Sequence, residues 1–316
     1  LYERCFFYRR FFIRGRIVRI ESKDYYVLDQ NQKIIRCNLR GKFKEIFKNK
    51  KNKLKVLDVA SVGDYIEYNL NDDGTGVINE IFERNNFLSR KAPKIKGALQ
   101  RGERYEQIIV SNVDRIFIVC SIIQPEFNNK FVDRMIVAAE SNNILPSIII
   151  NKTDLSENKI KKWQDLYEGI GYKVYLSSAV TMKGIEEIRN DTKKITSVFW
   201  GYSGVGKSSL INAMYPEFNL KTGEISEYTN KGTHTTVTAK LINIDNNTFI
   251  ADTPGIKEID PYGLRKEDLS HYFAEFKEHL PFCRFNTCTH LHEPGCGVIN
   301  AVQNGKISSE RYESYL

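Results

Sequence analysis

The sequence predicts an α/β fold: a doubly wound parallel sheet, preceded by a small basic β-barrel and followed by a short helical segment rich in Cys and His. Three observations carry this. From Ile13 to about Ala92, short alternating runs are separated by polar turns. From Ile108 onward, continuous apolar runs alternate with stretches of helical spacing. At Gly201–Ser208 the spacing G-x-x-x-x-G-K-S sits between the apolar run Val198-Phe199-Trp200 and a helix opening at Ser209. That is the strand–loop–helix order of a phosphate-binding loop. The chain divides accordingly into 1–92, a linker over 93–107, a sheet domain over 108–260 and a tail over 261–316.

In the first region Gly15–Ile20, Tyr25–Leu28, Lys33–Cys37 and Asp64–Tyr68 alternate as half-buried strands do. Five or so strands in so short a stretch suggest a closed barrel, and the OB-fold is a common basic barrel that binds nucleic acid. Residues 1–60 carry 17 Lys+Arg against 6 Asp+Glu, a net of +11, whereas the whole chain is +8. The amino-terminal part is therefore the one expected to meet a polyanion. Taken alone, the run Lys42–Lys55 reads as a solvated loop. Joined to a barrel that presents Tyr25 and Tyr26, it reads as an RNA-contacting face. Phe87–Arg104, with Pro93 and many Lys and Arg, reads as the linker.

No run of eighteen apolar residues occurs, so no membrane span is expected. The opening Leu1–Ile13 lacks a signal peptide's continuous apolar centre. Of the six cysteines, Cys5, Cys37 and Cys120 are scattered. A disulfide framework is not expected in a chain of this length, which favours a reducing, cytoplasmic setting. A monomer is the expected state.

The sheet strands are expected at Ile116–Cys120, Ser147–Ile150, Lys173–Leu176, Ser197–Trp200 and Thr248–Ala251, with a helix over Phe131–Ala139. Ligands in such sheets bind beyond the carboxyl ends of the strands. In the phosphate loop the backbone of Gly201, Ser203, Gly204, Val205 and Gly206 can wrap a phosphate, with Ser209 in the first helical turn. Lys207 would reach the outer phosphates, and the Ser208 hydroxyl would coordinate magnesium. The reading is a nucleoside triphosphate site.

Asn151-Lys152-Thr153-Asp154 follows a buried strand end directly. The Asp154 carboxylate can accept two hydrogen bonds from the guanine ring N–H and exocyclic amine, a donor pair adenine lacks. Asn151 would tie neighbouring loops together, and the stem of Lys152 can lie over the purine plane. N-K-x-D alone is weak, but Ser177-Ser178-Ala179 follows the next apolar run, where a backbone N–H at Ser178 or Ala179 can meet the guanine oxygen. Together they select guanine. Asp252-Thr253-Pro254-Gly255 suits a magnesium-linked carboxylate with a γ-phosphate-sensing Gly255, although in isolation it reads as a turn. Between it and the phosphate loop, Gly232-Thr233-His234-Thr235-Thr236 offers a magnesium threonine, with Thr236 favoured and Thr235 the alternative.

The order is unusual, because the guanine loops precede the phosphate loop and Asp252 comes last. A doubly wound sheet tolerates this if its usual termini are joined and the chain is reopened elsewhere. With these motifs in this order the chain resembles the RsgA (YjeQ, EngC) family of small-subunit-dependent, circularly permuted GTPases. The resemblance covers essentially the whole length. It implies an α/β, circularly permuted P-loop GTPase domain with an N-terminal OB-fold β-barrel and a C-terminal zinc-binding helical segment. Two departures are Tyr202, where the family usually has Gln, and Met182, where Gly often follows the threonine.

Cys283, Cys288, His290 and Cys296 have the spacing C-x4-C-x-H-x5-C. Three thiolates and an imidazole would close a tetrahedral, structural zinc site. His292 makes one histidine surplus, and the RsgA-type resemblance assigns the ligand to His290. His271 and His279 fall in a stretch, Leu269–Leu280, that reads as an amphipathic helix.

The reaction expected is in-line attack of water on the γ-phosphate of GTP, giving GDP, with magnesium and Lys207 stabilising the charge. Ile256 follows Gly255 where a Ras-like enzyme would place its water-orienting glutamine, so unaided turnover should be slow. His234 is the candidate for that role, against a loop histidine that touches nothing. The resemblance implies late maturation of the small ribosomal subunit, with that subunit as activator, and the basic barrel and zinc segment are expected to grip its rRNA in the GTP state and release it after hydrolysis. Two rivals are an RNA-binding scaffold that uses GTP as a structural ligand and a P-loop kinase for a small molecule. The kinase leaves Asn151–Asp154 and Ser178-Ala179 unexplained.

Overall fold

The computed structural model describes residues 13–43, 59–91, 106–156, 160–218, 239–245, 247–252 and 264–316. Strands β1 (Ile13–Glu21), β2 (Asp24–Asp29), β3 (Ile34–Leu39), β4 (Tyr65–Leu70) and β5 (Gly76–Ile81) make the barrel. The ring runs β1-β2-β3-β5-β4 and closes by β4 pairing back on β1, with Gly15 opposite Ile66. Only the β3–β5 pair is parallel. The alternation seen in the sequence places Ile17, Val27, Cys37, Ile66, Tyr68 and Ile78 inside, where they form one buried cluster.

Tyr25 and Tyr26 do not stand free as expected of a stacking surface. Both are half-buried. Tyr26 pairs with Arg19 across the β1–β2 ladder, and the Arg19 guanidinium covers its ring at 3.9 Å. Tyr25 packs against the barrel core.

A two-stranded antiparallel ribbon follows, β6 (Phe87–Lys91) with β7 (Glu106–Ser111). Its first strand lies within the stretch read as a linker. Leu88 and Val110 are buried in a cluster that also holds Val18 and Leu28 of the barrel and Ile116 of the sheet domain, so burial holds the segment in place. Residues 92–105 lie outside the described residues.

The sheet domain contributes β8 (Arg115–Ser121), β9 (Leu145–Asn151), β10 (Lys173–Leu176), β11 (Thr196–Trp200), β12 (Lys240–Asp245) and β13 (Thr248–Asp252). Their spatial order is β10-β9-β8-β11-β13-β12. All are parallel except β12, an antiparallel strand the sequence reading did not place. Helices α1 (Asn129–Glu140) and α2 (Ile160–Gly169) cover one face, over Ile116, Ile118, Ile148 and Val198. Helices α3 (Ile185–Asp191) and α4 (Lys207–Met214) cover the other, over Phe117, Val119, Ile149 and Phe199. Burial on both faces is why these strands read as unbroken apolar runs.

Barrel and sheet domain are joined by buried polar groups. Arg16 of β1, 5% exposed, donates to Gly63 O (3.2 Å), Thr196 Oγ1 (2.6 Å) and Asn112 O (2.9 Å), and lies 4.7 Å from the Phe249 ring centroid. Asp64 accepts from the Ser111 hydroxyl at 2.6 Å and pairs with Arg84 at 2.7 Å. One further pairing, Arg19 with Lys240, continues the barrel into β12.

The tail packs Phe273, Phe276, Val298, Ile307 and Tyr315 around Val137 of α1. It holds two short helices, α5 (Gly297–Gln303) and α6 (Ser309–Tyr315). Leu269–Leu280 is not one amphipathic helix. It consists of 3-10 turns at Lys266–Tyr272, Ala274–Phe276 and Leu280–Phe282, interrupted where Phe273 turns extended and buries its ring. No helix among the described residues is long and apolar enough to cross a membrane.

Candidate functional site

Parallel β8, β9, β10, β11 and β13 all point their carboxyl ends to one edge, and the chemistry-bearing residues gather there. The loop Gly201–Gly206 joins β11 to α4, with Gly204 at φ +84° and Gly206 at φ +94°. Two approaches explain its glycines. A Cβ on Gly201 would lie 2.0 Å from Val119 O, and one on Gly206 would lie 2.5 Å from Asn151 Nδ2. Lys207 Nζ donates to the carbonyls of Gly201 (2.7 Å) and Tyr202 (2.8 Å), and burial lowers its pKa to about 8. Val205 is buried, Ser203 and Gly204 are exposed, and Ser208 and Ser209 are half-buried at the start of α4.

Asn151, 1% exposed at the end of β9, is the junction of three loops. Its side-chain amide donates to Val205 O at 2.9 Å, and its Oδ1 accepts from the Ser177 hydroxyl at 3.1 Å. Thr153 bonds Ser177 O through both its N–H and its hydroxyl, at 3.1 Å each. These bonds fix the turn that leaves Asp154 exposed at the rim. The Lys152 stem passes 3.9 Å from the position a Gly206 Cβ would take, so the loop after β9 and the loop after β11 lie side by side. Ser178 is buried and its Oγ accepts from the N–H groups of Val180 (3.3 Å) and Thr181 (3.1 Å). Its own N–H donates to Lys183 O at 3.0 Å. Ala179 is half-buried beside it.

The sequence reading overlooked one wall. The loop after β8 carries Gln124, whose carbonyl accepts from Lys152 Nζ at 2.6 Å, and Pro125, whose carbonyl accepts from the Ser121 hydroxyl at 2.7 Å. Phe127 then stacks on Trp163 of α2 at 4.7 Å, and Phe131 packs against the tilted Tyr202 ring at 4.1 Å. The signal available was positional: a Gln-Pro pair just past a buried strand of a doubly wound sheet.

Asp252 ends β13 next to β11, one residue past the Ala251–Val198 register pair. Desolvation raises its carboxyl pKa, against the attraction of Lys240, and Oδ1 is buried without a hydrogen-bond partner among the described residues. An orphaned buried carboxylate oxygen at this edge fits a divalent cation. His234, Thr235, Thr236, Gly255 and Ile256 lie outside the described residues, as does most of the basic run after Phe43.

In the tail the donor atoms of Cys283, Cys288, His290 and Cys296 all lie within 4.8 Å of one another. His290 Nδ1 is 3.3 Å from Cys296 Sγ and 3.6 Å from Cys283 Sγ, and the two sulfurs are 4.0 Å apart. A tetrahedron drawn with ordinary metal–thiolate and metal–imidazole lengths has edges of about 3.5–3.8 Å, so this group could hold a metal ion. His292 is exposed and outside the group. Tyr312 and Tyr315 of α6 donate to the carbonyls of His290 (2.6 Å) and Thr289 (2.7 Å), which holds the ligand-bearing turn.

Comparison with known proteins agrees with this layout. Residues 14–78 match the RsgA N-terminal domain and residues 81–262 the RsgA GTPase domain. The small ribosomal subunit biogenesis GTPase RsgA of Phocaeicola vulgatus is 35% identical over 308 residues, covering 96% of this chain and 95% of that protein. The protein of the same name from Caldanaerobacter subterraneus is 40% identical over 305 residues, covering 96% and 94%. Among solved structures, YjeQ from Thermotoga maritima superposes with a TM-score of 0.75 at 33% identity, covering 96% of each chain. YloQ, a circularly permuted GTPase, superposes with a TM-score of 0.71 at 32% identity, covering 98% of this chain and 94% of that one. With the rearranged loop order, the closed five-stranded barrel and the Cys3His tail all in place, the chain belongs to the RsgA GTPase family.

Proposed function

We propose that this GTPase hydrolyses GTP to GDP and phosphate when docked on the small ribosomal subunit, late in that subunit's maturation. It holds ribosomal RNA in the GTP state and lets go after hydrolysis. The observation that carries the nucleotide reading is the Asn151 junction, where a base-reading corner and a phosphate cradle share one buried side chain.

In this reading Asp154 accepts from the guanine edge, Lys152 lies over the base, and the guanine oxygen meets the N–H of Ala179, since that of Ser178 is already given to Lys183. The amides of Gly201–Ser209 and the Lys207 ammonium surround the phosphates, so Lys207 exchanges its two carbonyl partners for phosphate oxygens. Ser208, Asp252 and one of Thr235 and Thr236 would hold magnesium, which supplies positive charge against the β- and γ-phosphates. Gly255 senses the γ-phosphate, and His234 orients the water that Ile256 cannot. Zinc, held by Cys283, Cys288, His290 and Cys296, orders the tail and takes no part in the reaction.

The basic barrel and the zinc segment are the RNA-facing parts. The relatives named small ribosomal subunit biogenesis GTPase supply the partner. Cytoplasmic residence and a monomeric state belong to the same reading. The test is GTP turnover with and without purified small subunits, together with subunit binding in the GTP-analogue and GDP states. Turnover unchanged by subunits sinks the activation, and equal binding in both states sinks the release step. The absence of a glutamine at Ile256 favours one second reading, an RNA-binding scaffold with GTP as a structural ligand. Turnover that stays negligible even on the subunit would select it.

A further inference from the structure

We infer that Arg311 is a positioning residue for the nucleotide pocket. Through it the metal-bearing tail braces the two helices that back the base-side loops, so that guanine nucleotide and metal each strengthen the other's binding. The inference rests on the reading of the pocket as a guanine-nucleotide site.

Arg311 of α6 is fully buried, the largest such side chain among the described residues. Its NH1 donates to Asp133 Oδ1 of α1 at 2.5 Å, and its Nε and NH2 donate to the two carboxylate oxygens of Glu275 at 2.6 and 3.1 Å. The guanidinium lies 4.6 Å from the Phe273 ring centroid. Tyr167 of α2 donates to the same Asp133 oxygen at 2.8 Å. Burial alone would lower the Arg311 pKa, but Glu275 and Asp133 outweigh it and keep the guanidinium charged. Apolar side chains of the same shape could hold these elements together at least as well. What the planar fork adds is direction: two carboxylates on separate elements are held at a fixed angle to α6.

From this clamp, contacts run to both sites. On the pocket side, Phe131, two residues before Asp133, meets the Tyr202 ring of the phosphate loop at 4.1 Å between centroids, tilted by 32°. Asn129 Nδ2, in the first turn of α1, donates to Glu310 O at 3.3 Å and Ser314 Oγ at 3.2 Å. On α2, Trp163 stacks on Phe127 of the loop whose Gln124 carbonyl takes the Lys152 ammonium. On the metal side, α6 turns Tyr312 and Tyr315 onto the carbonyls of His290 and Thr289. One seven-residue helix thus touches α1, which carries Phe131, and the backbone of a metal ligand. None of these contacts involves Asp252 itself.

Coupling of two binding equilibria is reciprocal, which gives the test two independent arms. Zinc affinity of the full chain is measured by competition with a chromogenic chelator, with and without saturating GDP. GDP affinity is measured with a fluorescent GDP before and after zinc is removed. GDP should tighten zinc binding by about fivefold or more, and zinc should tighten GDP by the same factor. Arg311→Lys should lower that factor while leaving one zinc bound. The volume-matched set Arg311→Met, Asp133→Leu, Glu275→Met should bring it to about one with both ligands still bound. Zinc affinity in the wild-type chain that is indifferent to GDP overturns the inference, whether or not the variants fold. Full coupling in a folded Arg311→Met set removes Arg311 from it. A chain that binds zinc but no guanine nucleotide overturns the pocket reading instead.

Discussion

The side-chain amide of Asn151 donates to the backbone carbonyl of Val205 at 2.9 Å, between residues 54 apart in the chain. That bond ties the loop after β9 to the Gly201–Gly206 loop from inside. Asn151→Ala leaves the Val205 carbonyl buried and unpaired, a loss of about 1–3 kcal/mol. The loss should appear as roughly tenfold weaker binding of a fluorescent GDP, with the far-ultraviolet circular dichroism unchanged. Affinity equal to wild type would show that the bond does not shape the pocket.

Gly206→Ala attacks the same junction from the other side. The position holds φ at +94°, and the new Cβ would meet Asn151 Nδ2 at 2.5 Å. Left-handed backbone at a residue with a Cβ costs about 1–2 kcal/mol, and the clash adds to it. Nucleotide titration should show at least about a tenfold loss, whereas Gly169→Ala, with open space around it, should bind normally.

Burial lowers Lys207 to about 8, and a bound triphosphate would favour its ammonium form. The bound pKa therefore exceeds the free one, and binding takes up a proton once the free group has lost it. Affinity for GTP should be level below pH 8 and fall above it, by up to about tenfold per pH unit. Titrations from pH 7 to 9 check this, and Lys207→Met should bind weakly without that slope.

Asp252 works the opposite way before any cation arrives. Its raised pKa means that the ionised carboxylate opposes folding above that pKa and that protonation relieves the cost as pH falls. Asp252→Asn should therefore raise the thermal midpoint at pH 7 in the presence of EDTA, while magnesium-dependent GTP turnover drops to background. A lower midpoint would mean the carboxylate has a partner in the metal-free state.

Much of this was legible because short-range chemistry writes itself locally. Gly201–Ser208 and Asn151–Asp154 each follow an apolar strand, and in a doubly wound sheet strand ends converge whatever their sequence order. Buried arginines are illegible for the opposite reason. Arg311 is surrounded by charge and polarity in the sequence, Arg16 is one of three arginines in a basic strand, and an arginine in either setting reads as solvent-facing. Only the fold brings them their carbonyls and carboxylates. Phe87–Lys91 was masked by the Pro- and Lys-rich stretch after it. Tyr25 and Tyr26 alternate like any half-buried strand, which cannot reveal that Arg19 lies over one of them.

Arg16→Met follows from that blind spot. It leaves Asn112 O and Thr196 Oγ1 without their shared donor, while Gly63 O keeps the Asn112 side-chain amide at 3.0 Å. At about 1–3 kcal/mol for each stranded buried group, a loss on the order of 3 kcal/mol is expected. Urea unfolding measures it, and a midpoint within error of wild type would show that water or neighbours replace the guanidinium.

Strand β12 starts at Lys240, four residues beyond Thr236, and its first residue is also the one paired with Arg19 of the barrel. A second stitch, Asn243 to Gln32 at 2.7 Å, lies further along the same strand. The outer strand of the sheet domain is thus fastened to the barrel at its first residue, the same residue that lies opposite Asp252 in the β12–β13 ladder. A displacement of the barrel therefore reaches the carboxylate through a single cross-strand pair.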